Sequence, residues 1–109
     1  MKNYVQSGNN LTVAAPYALT SGDGALINSL FGVAAGDADN GAEVDLVTVG
    51  VFELPKTSAL AISIGEKLYW DNVAKEVNKT ASGNTLIGVA ASAAANPSAT
   101  VNVRLNGAF

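Results

Sequence analysis

Asp37 and Asp39, two apart in the stretch GDADNG (36–41), come closest in this sequence to residues arranged for chemistry, since alternate carboxylates before a glycine open a calcium loop. Such a loop also needs an oxygen ligand at its fifth position, glycine at its sixth and a bidentate acid at its twelfth. Counted from Asp37, those positions hold Gly41, Ala42 and Thr48, and the pattern fails. The stretch reads better as an Asn-Gly turn between two strands. PKTS (55–58) has the lysine and hydroxyls of a phosphate-binding loop without its glycines, and SGDGALI (21–27) has only two of the three glycines of a dinucleotide fingerprint. Histidine and cysteine are both absent. That removes imidazole acid–base catalysis, a Ser-His-Asp triad, thiolate nucleophiles, disulfides and Cys/His zinc sites. The acids fall mostly on predicted solvent faces, and few aromatics exist to stack on a sugar, which leaves paired-carboxylate glycoside chemistry little support. The residues therefore predict no enzyme, no cofactor and no metal.

The elements that would have to position any site are short. Eleven glycines and three prolines leave few windows long enough for a helix. Between them lie β-type runs: NLTVAA (10–15), GALINSLFGVAA (24–35), AEVDLVTVGVFEL (42–54), EKLYWD (66–71), EVNKT (76–80), TLIGVAA (85–91) and ATVNVRLNG (99–107). In the last, Val101, Val103 and Leu105 alternate with Asn102, Arg104 and Asn106, the signature of a half-buried strand. Val44, Leu46 and Thr48 make a matching inward set opposite Glu43, Asp45 and Val47. The expected fold is all-β, a small sandwich or barrel formed by one domain over residues 1–109. At most one short helical turn is allowed, after Pro55 with Thr57 or Ser58 as its cap. ASAAANPSAT (91–100) is short, carries Pro97 and reads as a loop.

One phrase occurs twice. LFGVAA (30–35) and LIGVAA (86–91) share five residues in six. With a further one-residue shift, Val44, Leu46, Gly50 and Phe52 fall on Val101, Val103, Gly107 and Phe109, and SGDGALI (21–27) aligns more loosely with IGEKLYW (64–70). Between the copies, DNVAKEVNKTASGN reads as an inserted hairpin turning near Asp71-Asn72 and near Ser82-Gly83-Asn84. Two readings stand: a pseudo-duplicated β unit whose copies pack on each other, or coincidence in an Ala/Val/Gly-rich chain. Under the first, each repeated glycine sits where a facing side chain needs room or the strand kinks.

Composition bounds the partners. Hydrophobic residues make up 49%, but alanine and valine dominate, so each buried side chain contributes little at roughly 25 cal/mol per Å². A domain built this way gains from burying surface against a larger body or another copy. Net charge is −3 and unevenly spread. Residues 1–55 hold Asp23, Asp37, Asp39, Glu43, Asp45 and Glu53 against Lys2 alone, whereas residues 56–109 hold five bases against Glu66, Asp71 and Glu76. No basic cluster exists, which argues against nucleic acid; the charge division reads as solvated faces or as complementarity between neighbouring subunits. MKNYVQSGNN lacks an apolar core of signal-peptide length and no apolar run approaches a membrane span, so a soluble chain made in the cytoplasm is expected. Residues 1–8 form an N-terminal arm in this reading. Its Asn3, Tyr4, Val5 and Gln6 are candidate partner contacts. Trp70 is either a cover on the core edge with its N–H satisfied or a contact anchor, and it joins the same candidate set.

These features occur in a particular order: MKNYVQSGNNLTVAAPYALTSGDGALINSLFGVA at the start, GVFELPK in the middle, LYWD before NKTASGNTLIGVA, and VNVRLNG near the end. In that order the chain resembles the small capsid decoration, or cement, proteins of tailed phages and prophages. Some of these were formerly filed as a bacterial domain of unknown function and mislabelled as RecA/RadA-type recombinases, a label the missing phosphate loop rules out. The resemblance implies an all-β virion protein on the capsid exterior that stabilises contacts between major capsid protein subunits. It also implies a homo-oligomer, trimer or dimer, with no membrane or nucleic acid partner. An oligomeric tail- or fibre-associated β module and a carbohydrate-binding β-sandwich are the alternatives.

Overall fold

A computed structural model describes residues 10–106. Nine strands follow in order: β1 (Asn10–Ala14), β2 (Gly24–Ile27), β3 (Leu30–Ala34), β4 (Glu43–Val47), β5 (Val49–Pro55), β6 (Lys67–Asp71), β7 (Glu76–Asn78), β8 (Thr85–Ala90) and β9 (Thr100–Asn106). They form two antiparallel sheets, β1-β4-β3-β2 and β5-β9-β8-β6-β7. No helix occurs among the described residues. The segment after Pro55 is held differently: Lys56 Nζ donates to the carbonyls of Thr57 (2.8 Å), Ser58 (3.2 Å) and Leu60 (2.5 Å). A buried ammonium thus gathers the carbonyls that a helix would have paired internally.

The repeated phrase is the mark of a repeated fold. β1, β2, β3 and β4 of the first sheet correspond to β5, β6, β8 and β9 of the second, with the same neighbours, and β7 is the inserted strand. Equivalent hydrogen bonds close both units. Gly22 N donates to Ala34 O (2.9 Å) as Gly65 N does to Ala90 O (2.8 Å), and both glycines hold positive φ, +93° and +85°. Leu19 bridges Ala38 as Ile62 bridges Ala94. Gly32 and Gly88 also correspond. An added Cβ would lie 3.1 Å from the Val47 carbonyl oxygen in the first unit and 2.0 Å from that of Arg104 in the second. At Gly88 the neighbouring backbone alone demands glycine, whereas at Gly32 the nearest atom is the Leu46 Cβ at 2.8 Å, a side chain that needs the room. The correspondence ends at Val47 and Arg104. Beyond the buried Thr48 the chain enters β5, so Gly50 and Phe52 belong to the second unit, while Gly107 and Phe109 lie outside the described residues.

Each unit wraps its own core. In the first, Val44 and Leu46 pack with Ala15, Leu19, Ala25 and Ala34; in the second, Val101, Val103 and Leu105 pack with Leu54, Ile62, Leu68, Ala90 and their neighbours. The alternation read from the sequence thus holds on both strands. Where the register of β6 and β8 jumps from Leu68↔Gly88 to Tyr69↔Leu86, Ile87 is left over as a bulge and is buried. The second sheet is nearly closed, because Thr57 N donates to Val77 O (3.1 Å) and links the end of β5 to β7. The remaining opening is filled from the first unit. Phe31 and Val33, on the β3 face opposite Ala34, join the second core.

Candidate functional site

Trp70 stands at the join between the units. It is 2% exposed, its ring centroid lies 5.1 Å from that of Phe31 at 51°, and Gly24 gives it room, since a Cβ there would meet the indole at 2.8 Å. Asn72, in the turn of the inserted hairpin, gathers the polar groups around it. Its Oδ1 accepts from Trp70 Nε1 (3.1 Å) and from Lys75 Nζ (3.1 Å), and the Tyr17 hydroxyl lies 3.5 Å away. Tyr17 donates at 2.9 Å to the Gly24 carbonyl, and Lys75 Nζ sits 4.1 Å above its ring. Burial, the largest influence, pushes the Tyr17 phenol above its ordinary range. The turn itself forms because Asp71 Oδ1 accepts from Val73 N and Ala74 N, with Lys75 at φ 57°. The hairpin that makes the second unit longer than the first is therefore a clasp across the join. Of the two readings of Trp70, the core position with a satisfied N–H is the one its geometry matches. Asn3, Tyr4, Val5 and Gln6 lie outside the described residues.

One hollow, ≈ 500 Å³, is lined by Ala18, Leu19, Thr20, Asp23, Asp37, Ala38 and Asp39. Two of its carboxylates are engaged in turns: Asp23 accepts from Thr20 N and Oγ1 (both 2.9 Å), and Asp37 from Ser21 N (2.9 Å). The GDADNG stretch is a turn, closed by Ala42 N donating to Asp39 O (2.9 Å) with Gly41 at φ +87°. No group of three or more His, Cys, Asp or Glu side chains able to hold a metal occurs among the described residues.

What the fold does display is two unlike surfaces on two like units. Residues 10–47 contain Asp23, Asp37, Asp39, Glu43 and Asp45 and no base. Residues 48–106 contain five bases against Glu53, Glu66, Asp71 and Glu76, and they carry the exposed large apolar side chains Val49 (37%), Val51 (57%), Ile64 (70%) and Val73 (95%). Val51 and Arg104 are cross-strand partners, and the row continues through Val89 to Lys67. The sequence hinted at this surface, since VGV in an edge strand leaves alternate valines facing away from the core. No helix among the described residues is long and apolar enough to cross a membrane.

No curated protein and no solved structure matches this chain. The family model described as phage cement protein matches residues 5–105, spanning both units and the inserted hairpin, and the chain belongs to that family.

Proposed function

We propose that this cement protein attaches to the outside of the assembled capsid where major capsid protein subunits meet, and that it does so as a homo-oligomer. The observation that carries the reading is the family match, which runs across both units and the inserted hairpin. The physical features support it. The two units are cross-braced by the Trp70–Phe31 stack and the Asn72 clasp, so the molecule can transmit load between the surfaces it touches. Its exposed apolar side chains lie in the second unit, where they stand to gain from burial. Repetition over a shell turns a modest contact into a large collective one, and pressure from packaged DNA must then break these contacts as well. The carbohydrate-binding alternative needs an exposed aromatic platform, and Trp70 is buried.

The test is to add purified protein to undecorated, DNA-filled capsids and heat them. The temperature of DNA release is expected to rise with occupancy and then saturate. Full occupancy with an unchanged release temperature would refute the clamping role.

A further inference from the structure

The internal duplication supplies its own control. Equivalent faces of the two sheets are related by the repeat and can be compared; on the first sheet the β2–β3 half of this face, with Gly24, Phe31 and Val33, packs against the second unit, and the β1–β4 half is exposed. On β4 the outward set is Glu43, Asp45 and Val47; on β9 the equivalent set is Thr100, Asn102 and Arg104. Their cross-strand partners differ in the same sense. Val47 and Asp45 face Asn10 and Thr12 on β1, whereas Arg104 and Asn102 face Val51 and Glu53 on β5. Farther across, the row of the second sheet runs through Val89 to Lys67, where that of the first runs through Val33, buried in the second core, to Gly24. The exposed β1–β4 part of the first face is thus polar and acidic, with Glu43 and Asp45 and no base among residues 10–47. The other is apolar with two exposed cations, Arg104 and Lys67, against the single carboxylate of Glu53 on β5 and β9.

Neither Arg104 nor Lys67 has an ion-pair partner among the described residues; the ion pair found there joins Lys79 to Glu66 at 3.3 Å. The acidic face is nearly as unengaged, since Asp45 only accepts from the exposed Thr12 hydroxyl at 2.5 Å. An arginine framed by valines on a sheet surface is the composition that anchors interfaces. Its complement in charge is the exposed β1–β4 part of the first sheet, with Glu43 and Asp45.

We infer that the outer face of the second sheet, built around Val51, Arg104 and Lys67, takes the acidic outer face of the first sheet, Glu43 and Asp45, of a second copy of this chain. The inference rests on the self-association in the proposed function and names the surfaces that perform it. Such a contact is heterologous: each copy offers one acidic and one basic face, so the assembly closes as a ring or grows as a chain. Opposite charges set its register and its salt dependence, and the exposed valines supply the burial. The acidic excess confined to one unit, costly through self-repulsion in a free chain, is neutralised in the assembly.

Charge reversal on the full chain tests this by sedimentation velocity, in low and high salt and up to millimolar protein. The wild-type chain is expected to associate reversibly, at least tenfold more weakly in high salt. Arg104→Glu and the pair Glu43→Lys with Asp45→Lys should each weaken association by at least tenfold. All three changes together should restore most of it, because the pairing is only reversed. Far-UV circular dichroism checks that each variant is folded, and Val51→Asp gives a second, charge-independent disruption of the same face. A wild-type chain that stays monomeric throughout, single reversals without effect, or no rescue in the combined variant would each overturn the inference. Capsid attachment, measured separately on the same variants, reports on the cement role itself: loss of self-association with attachment retained leaves that role standing.

Discussion

A methyl group on Gly88 would lie 2.0 Å from the Arg104 carbonyl oxygen and 3.1 Å from the Leu105 Cα, both in the backbone of the adjacent strand. Carbon–oxygen contacts across a sheet settle at about 3.3 Å, so β8 and β9 must separate by roughly 1.3 Å to admit it. Hydrogen bonds between strands tolerate only a few tenths of an ångström beyond about 3.2 Å, and those flanking the site would break. Two lost bonds at about 1 kcal/mol each, with an overpacking strain of about 1–3 kcal/mol, give a cost of about 3–5 kcal/mol for Gly88→Ala. For a domain of this size that lowers the melting temperature by roughly 15–30 °C. Gly32→Ala, the same change in the first unit, meets Leu46 Cβ at 2.8 Å and the Val47 carbonyl oxygen at 3.1 Å, a milder clash worth about 1–2 kcal/mol. Gly36→Ala, with nothing within 4 Å of its new Cβ and no positive φ, should lie within about 0.5 kcal/mol of wild type. Urea unfolding followed by circular dichroism orders the three. A Gly88→Ala chain within 1 kcal/mol of wild type, by the scale above, or less affected than Gly32→Ala, would refute the close strand approach in both units.

Other perturbations probe other joints of the fold. Lys56→Met keeps the buried stem but abandons three carbonyls, and should cost about 2–4 kcal/mol in urea unfolding; a neutral result would mean the ammonium does not order residues 57–60. Asn72→Ala removes the acceptor of the Trp70 N–H and should cost about 1–2 kcal/mol, with a red-shifted emission from the chain's one tryptophan if the clasp opens. The Glu66 carboxyl is held below its ordinary range, first by the Ser63 N–H (2.7 Å) and then by Lys79. A depressed carboxylate contributes stability above its unfolded pKa and loses it as pH falls through the lower folded value. Glu66→Gln should therefore be less stable than wild type at neutral pH, and the gap should close on acidification below that range; a gap that widens in acid would contradict the assignment.

Strand faces were readable in the sequence wherever alternation was strict, as in Val101-Val103-Leu105 and Val44-Leu46. The duplication was readable in two nearly identical phrases, because both copies need a glycine at the same point, Gly32 and Gly88. The pairing of β1 with β4 and of β5 with β9 was not, since edge strands in NLTVAA and VGVFELP share shape without sharing residues. Nor was the division of AEVDLVTVGVFEL at Thr48, where one continuous β-type run passes from one sheet to the other. Lys56 was weighed as a phosphate ligand, and its burial depends on a loop folding back over it, a tertiary event no local pattern records. The surfaces were hardest of all: the meaning of the charge division emerges only when the two units are laid over each other.

The account stands most directly on one observation, electron microscopy of undecorated capsids before and after mixing with the purified full chain. Added density is expected on the outer surface only, repeating at the junctions between major capsid subunits and fitted by two braced β units per copy. Capsids that remain bare at saturating protein, or density inside the shell or on the tail alone, would contradict it.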